Sequence, residues 1–188
     1  MINDWRIRFK QGYLPFYFVQ LANFIDASDS DWPLLRESQE YALALLNTGM
    51  ACIIDIGDAN NIHPVNKQEV GLRLAKMALK DLYGKSGIVI GPRFKAYKID
   101  GPKILVEIND NEKGLVVRSG SVASGFEIAG EDGKYVMANA NVKGNIIEVS
   151  NENVANPRNV RYAWKDNPDC NVFDTDGNPL WPFRTDKN

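Results

Sequence analysis

Histidine is almost missing from this sequence, with His63 the single example in 188 residues. That scarcity excludes a histidine-rich metal centre. With only Cys52 and Cys170 as thiols and no Cys-x-x-Cys pair, no cluster has the ligand spacing that zinc or a related metal needs. No metal and no other cofactor is expected. Two cysteines so far apart announce no disulfide framework, and Cys52, inside an apolar run, reads as a buried free thiol. An excess of one charge is lacking too: 22 basic and 24 acidic side chains nearly cancel and are spread along the chain. This leaves no electrostatic footprint for nucleic acid or an anionic membrane. No apolar stretch reaches the length of a membrane span, and Met1-Ile2-Asn3-Asp4-Trp5-Arg6 lacks the basic, apolar and small-residue order of a signal peptide. What is present is 44% hydrophobic content, enough to build one ordinary domain or two small ones around a core. A neutral small molecule or a sugar suits such a chain as a partner; nucleic acid and membrane do not.

The chain divides by texture near Gly84. Before it, strand-like and helix-like segments alternate, the pattern of an α/β layer. Leu14-Pro15-Phe16-Tyr17-Phe18-Val19-Gln20-Leu21 is a nearly continuous apolar run, as in a strand covered on both faces. A polar loop through Asp26, Ser28 and Asp29 follows. Pro33 then opens a helix in which Leu34, Leu35, Tyr41, Ala42, Leu45 and Leu46 recur at helical spacing, with Asn47-Thr48-Gly49 as its stop. Ala51-Cys52-Ile53-Ile54-Asp55-Ile56-Gly57 reads as a second buried strand. Asn66 with Glu69 three positions on starts a second helix, whose buried stripe is Val70, Leu74, Ala78 and Leu82.

After Gly84, Gly and Asn punctuate short β-branched runs at 103–108, 115–118 and 145–149, the signature of an antiparallel module. Glu131-Asp132-Gly133-Lys134 is a hairpin turn, 159–164 a late strand, and the proline-bearing tail from Pro168 a loop rather than more sheet. Two units are therefore expected, 1–84 and 85–188. The first is too small to stand as a complete doubly wound layer, since two strands leave sheet edges and apolar faces without partners; its opening residues, Trp5 to Phe9, read as mid-domain sequence.

Chemistry concentrates in Gly57-Asp58-Ala59-Asn60-Asn61-Ile62-His63-Pro64, between a buried strand's end and a capped helix, where the active sites of open α/β sheets lie. A serine hydrolase needs a neutral imidazole to take the hydroxyl proton and an acid or carbonyl to hold the ring's tautomer. His63 is the one residue able to be that base, and a position before a helix N-terminus disfavours its imidazolium form. Read from spacing alone, His63 fits an ordinary loop histidine flanking a helix better than a catalytic base. Arg36 and Gln39 share a helix face and are candidates to reach a substrate cleft, where an arginine would suit a sugar carboxylate; a structural helix face is the other reading.

The run Asp55-Ile56-Gly57-Asp58, then Asn61-Ile62-His63-Pro64 and Asn66-Lys67-Gln68 through Val70-Gly71, Arg73-Leu74-Ala75, closely resembles the terminal catalytic block of sialate O-acetylesterases in the SGNH hydrolase superfamily. Asp4-Trp5-Arg6, Trp32-Pro33, Gly91-Pro92, Val160-Arg161-Tyr162-Ala163-Trp164 and Pro182-Phe183-Arg184 extend the resemblance over nearly the whole chain. It implies a partial flavodoxin-like parallel sheet followed by an antiparallel β-sandwich-like module. It also implies an esterase that removes O-acetyl groups from sialic acids or related sugars, and a periplasmic or secreted parent enzyme. His63 would be the general base and Asp58 its orienting acid. Many members of the superfamily place the acid three residues before the histidine, where this chain has Asn60, which can still orient a ring by accepting a hydrogen bond. The family's Gly-Gln-Ser-Asn and Gln-Gly-Glu-x-Asn blocks, which bear the nucleophile and oxyanion donors, do not occur here. Ser119-Gly120-Ser121 and Ser124-Gly125 fall among turns, where Ser and Gly are ordinary. The resemblance thus implies half a site, inactive alone, with an upstream polypeptide supplying the serine. A different class stays open: a non-catalytic carbohydrate-binding or interaction module with a vestigial half-site, using Trp164, Trp181, Tyr162 and Phe183 as stacking surfaces if these do not fill the core.

Overall fold

The computed structural model describes residues 1–25, 31–88, 90–109 and 113–186; the polar loop expected through Asp26, Ser28 and Asp29 lies outside them. Its α/β architecture combines one small parallel strand pair with otherwise antiparallel sheets. The first part runs through helix α1 (Ile2–Phe9), strand β1 (Phe16–Val19), helix α2 (Trp32–Tyr41) with a 3-10 turn behind it (Ala42–Ala44), strand β2 (Thr48–Ala51) and helix α3 (Lys67–Asp81).

β1 and β2 are parallel, with Phe16 opposite Thr48 and Val19 opposite Ala51. Phe16 and Gln20 donate their N–H groups to β2 and its flank, so the odd-numbered residues of β1 face away. On that outer edge a side chain replaces a strand. Leu21 N–H donates to Gln39 Oε1 at 2.9 Å, and Gln39 Nε2 donates to Val19 O at 3.4 Å. The second strand lies earlier than the Ala51–Gly57 expected from the apolar run. Past Ala51 the Cys52 carbonyl is taken by Arg73 Nη1 at 2.7 Å, and the chain turns as Ile56 N–H donates to Ile53 O. Cys52, Ile53 and Ile54 are therefore buried without lengthening the ladder.

Helix α2 corrects the expected leucine stripe. Trp32, Pro33, Arg36 and Glu37 are inside, whereas Leu34, Leu35 and Tyr41 are exposed, as is Leu46 beyond the helix. Hydrogen bonding decides the rotation: Trp32 Nε1 donates to Ala22 O at 3.0 Å, and the Arg36 guanidinium is drawn onto main-chain carbonyls. The left-handed residue of the stop is Asn47, at φ 54, not Gly49. Gly49 serves packing instead, because a Cβ there would lie 2.7 Å from the Tyr17 ring and 2.9 Å from Met77 Sδ on α3. α3 starts as expected, Asn66 accepting Glu69 N–H at 3.1 Å, and its buried face centres on Arg73 and Met77 while Leu82 is exposed.

The second part is built from β3 (Arg93–Asp100), β4 (Lys103–Asn109), β5 (Leu115–Val117), β6 (Phe126–Ala129), β7 (Val136–Met137), β8 (Asn139–Lys143), β9 (Ile146–Ser150), β10 (Asn159–Tyr162), β11 (Val172–Asp174) and β12 (Phe183–Arg184). They pair antiparallel in the orders β3-β4-β9-β8, β12-β10-β6-β7 and β11-β5. The turn between β6 and β7 uses Gly133 at φ 67, and Gly133 N–H donates to Gly130 O. The tail is more than the loop expected from its prolines. β11 and β12 both enter sheets, and Leu180, Trp181 and Phe183 are buried. One hydrophobic cluster joins the two parts: Met50, Cys52 and Ile54 belong to the same core as Ile104, Val149, Val160, Tyr162 and Trp181. The parallel pair is thus packed between α3 on one face and the β-rich part on the other.

Candidate active site

The loop from Gly57 to Asn66 leaves the C-terminal end of β2 and feeds the N-terminus of α3, so it occupies the mouth of the parallel pair. Local side chains shape it. Asp58 Oδ1 accepts Asn60 N–H at 2.8 Å and Asn61 Oδ1 accepts His63 N–H at 2.9 Å, two successive Asx turns. Pro64 is buried beneath it, while Asp58, Asn60 and His63 are exposed. Among the described residues, no hydrogen bond joins the His63 ring to Asp58 or Asn60. The three share one loop, and the Asp58 carboxylate is engaged with the backbone.

The base of the loop is held from below. Gly57 N–H donates to Asn23 Oδ1 at 2.7 Å, and Ile25 N–H donates to Ala59 O at 3.0 Å, so the continuation of β1 runs alongside the loop. Behind the strand end, Arg73 grips Asp55 with two bonds of 2.6 and 2.8 Å, Glu69 at 3.0 Å and the Cys52 carbonyl. Burial alone would lower the Arg73 pKa, but hydrogen bonding and charge from Asp55, aided by Glu69, outweigh it and raise the pKa above the ordinary value. Asp55 is thereby committed to a buried ion pair. A cleft of about 350 Å³ opens beside it, lined by Asp55, Asn66, Glu69, Arg73, Lys76 and Arg118.

Arg36 is fully buried. Its Nε donates to Leu21 O at 3.0 Å, its Nη1 to Lys165 O at 2.7 Å, and its Nη2 to Ala22 O and Asp166 O at 2.8 and 2.6 Å. Burial pulls its pKa down to about 10, which still leaves it charged at neutral pH. Gln39 seals the β1 edge as described. Both side chains are thus committed to main-chain groups, and among the described residues no hydrogen bond links Arg36 or Gln39 to His63. Trp181, Tyr162 and Phe183 are buried in the core, and Trp164 lies partly exposed with the Arg184 guanidinium 5.3 Å from its ring. Among the described residues no group of three His, Cys, Asp or Glu side chains converges where a metal ion could sit. Asn23, Asn167 and the clamp role of Arg73 were not legible in the sequence. Arg73 stands within the motif but nothing local marks its partners, and the two asparagines are 144 positions apart.

No protein-family model matches the chain, and no curated protein matches it either. Solved structures do. A carbohydrate acetylesterase from Xanthomonas citri superposes with a TM-score of 0.93 at 43% sequence identity. The match covers 100% of this chain and 45% of that one, so the chain spans less than half the length of the enzyme it resembles.

Proposed function

We propose that this chain is the histidine-bearing portion of a carbohydrate esterase of the sialate O-acetylesterase type in the SGNH superfamily, hydrolysing O-acetyl esters of sialic acid or related sugars. The observation that carries the reading is the placement of the sole histidine on a loop at the mouth of a parallel strand pair, in a chain 43% identical over its whole length to a carbohydrate acetylesterase. In this mechanism a serine hydroxyl attacks the acetyl carbonyl while the His63 imidazole takes its proton. Main-chain or side-chain amides hold the oxyanion. The sugar hydroxyl leaves with the proton from His63, and His63 then activates water to release acetate. Asp58 is assigned as the residue that orients the imidazole, with Asn60 the alternative partner. The serine comes from a further polypeptide segment that covers the exposed leucines of α2 and α3. Arg36 and Gln39 act by holding the strand ends rather than by touching the sugar, a reading supported by their main-chain partners.

The test is complementation. Alone, the chain should leave p-nitrophenyl acetate and O-acetylated sialic acid nearly untouched. Mixed with the remaining portion of the Xanthomonas citri enzyme, it should turn both over, and His63→Ala should lower kcat by at least about 10³-fold. Equal turnover with and without the imidazole would sink the assignment.

A further inference from the structure

The loop that carries His63 is linked to the β-rich part through a pair of side-chain amides, Asn23 and Asn167. Asn23 lies just past β1, and its Oδ1 accepts Gly57 N–H at 2.7 Å. A main-chain N–H can only donate, so this bond fixes which end of the Asn23 amide faces the loop. The other end must then be Nδ2, and it donates to Asn167 Oδ1 at 2.8 Å, which settles the Asn167 amide in turn. The fit leaves no slack, because a Cβ on Gly57 would sit 2.3 Å from Asn23 O and 2.4 Å from Asn23 Oδ1. Asn167 is itself held in place. It follows Lys165 and Asp166, whose carbonyls take Arg36 Nη1 and Nη2, and Phe24 N–H donates to Asp166 O at 3.2 Å. That segment leaves β10 through Ala163, a buried residue forced to φ 51. Strain at a non-glycine residue persists only where the surroundings over-determine it.

Three layers of chain therefore stack: 165–167 from the β-rich part, 22–25 in the middle, and 57–59 at the root of the His63 loop. We propose that Asn23 is a positioning residue for the His63 loop and that Asn167 orients it, so that the β-rich part is a working component of the ester-cleaving unit rather than an appended module. This rests on the esterase reading for its purpose but not for its test.

The single histidine makes the experiment direct, since the ¹H–¹³C imidazole signals of the chain arise from His63 alone. Asn23→Ala and Asn167→Ala should each shift those signals and speed amide exchange across 57–63 by about tenfold, with the double variant adding little to either single change. Asn167→Asp keeps the acceptor for Asn23 Nδ2 and should restore wild-type signals and exchange. Asn153→Ala, on a distant loop, should change nothing at His63. If Asn167→Ala only lowers the melting temperature while the His63 signals and loop exchange stay as in wild type, or if Asn167→Asp behaves like Asn167→Ala, the proposal is wrong. Neither readout requires turnover, so a failed complementation assay leaves this test standing, and the reverse also holds.

Discussion

The two parts of the molecule close their interiors by different means. In the β-rich part, Phe126, Ile128, Ile147, Tyr162 and Trp181 are fully or almost fully buried against one another. In the α/β part, arginines do much of this work: Arg6 donates to the carbonyls of Leu14, Leu46 and Asn47, Arg36 to four carbonyls, and Arg73 to one carbonyl and two carboxylates. Large apolar side chains are left outside there, among them Trp5, Ile7, Phe9, Leu35, Leu72, Leu82 and Tyr83. The β-rich part closes mainly by apolar packing, while the α/β part has its loops pinned by arginines and more of its large apolar side chains exposed. Those exposed side chains support the proposal of a further segment.

Where the two parts meet, Cys52 comes from one and Cys170 from the other. Burial pushes both thiols up to about 12. At pH 8 the native protein should therefore be alkylated at either cysteine about a thousandfold more slowly than the unfolded chain, since the thiolate is the reacting form. A fast native reaction at Cys52 would mean that the seam is open. The same shift has a sign for stability. The folded state keeps thiol protons that the unfolded chain releases above its pKa near 9, so stability is unaffected below that pH and falls as pH climbs toward about 12.

Truncating Trp181 to Ala tests apolar closure and should cost about 4 kcal/mol in urea unfolding. Arg36→Met tests the polar closure. By stripping Leu21 O and Lys165 O of the guanidinium donor and leaving Ala22 O and Asp166 O with only Trp32 Nε1 and Phe24 N–H, it should cost about 3 kcal/mol. Losing the α3 cap in Asn66→Ala should cost about 1 kcal/mol. Leu35→Ser should change stability by no more than about 0.5 kcal/mol. A large loss at Leu35 or none at Arg36 would erase the contrast between the parts.

Much of this was readable from residue order. The switch from helical to alternating texture near Gly84 marks the passage from α3 to the first antiparallel strand, and the Asn66 cap and Gly133 turn stand where local chemistry puts them. The placement of His63 between strand end and helix start was equally legible. These features depend on contacts within a few residues. The orientation of α2 was not legible, because apolar periodicity favours the leucine face, whereas buried hydrogen bonds to carbonyls far along the chain turn Arg36 and Trp32 inward. The tail strands were hidden by prolines flanking them.

Composition and local spacing by themselves determined the α/β-then-antiparallel order and the position of the single imidazole, His63, ahead of α3. Tertiary structure alone decided which helix face is buried, that Asp55 is spent on Arg73, and that the His63 loop is tied through Asn23 to Asn167. The reason is physical: a cap or a turn is satisfied by neighbours in sequence, but a buried guanidinium or amide must find its partners wherever the folded chain happens to present them.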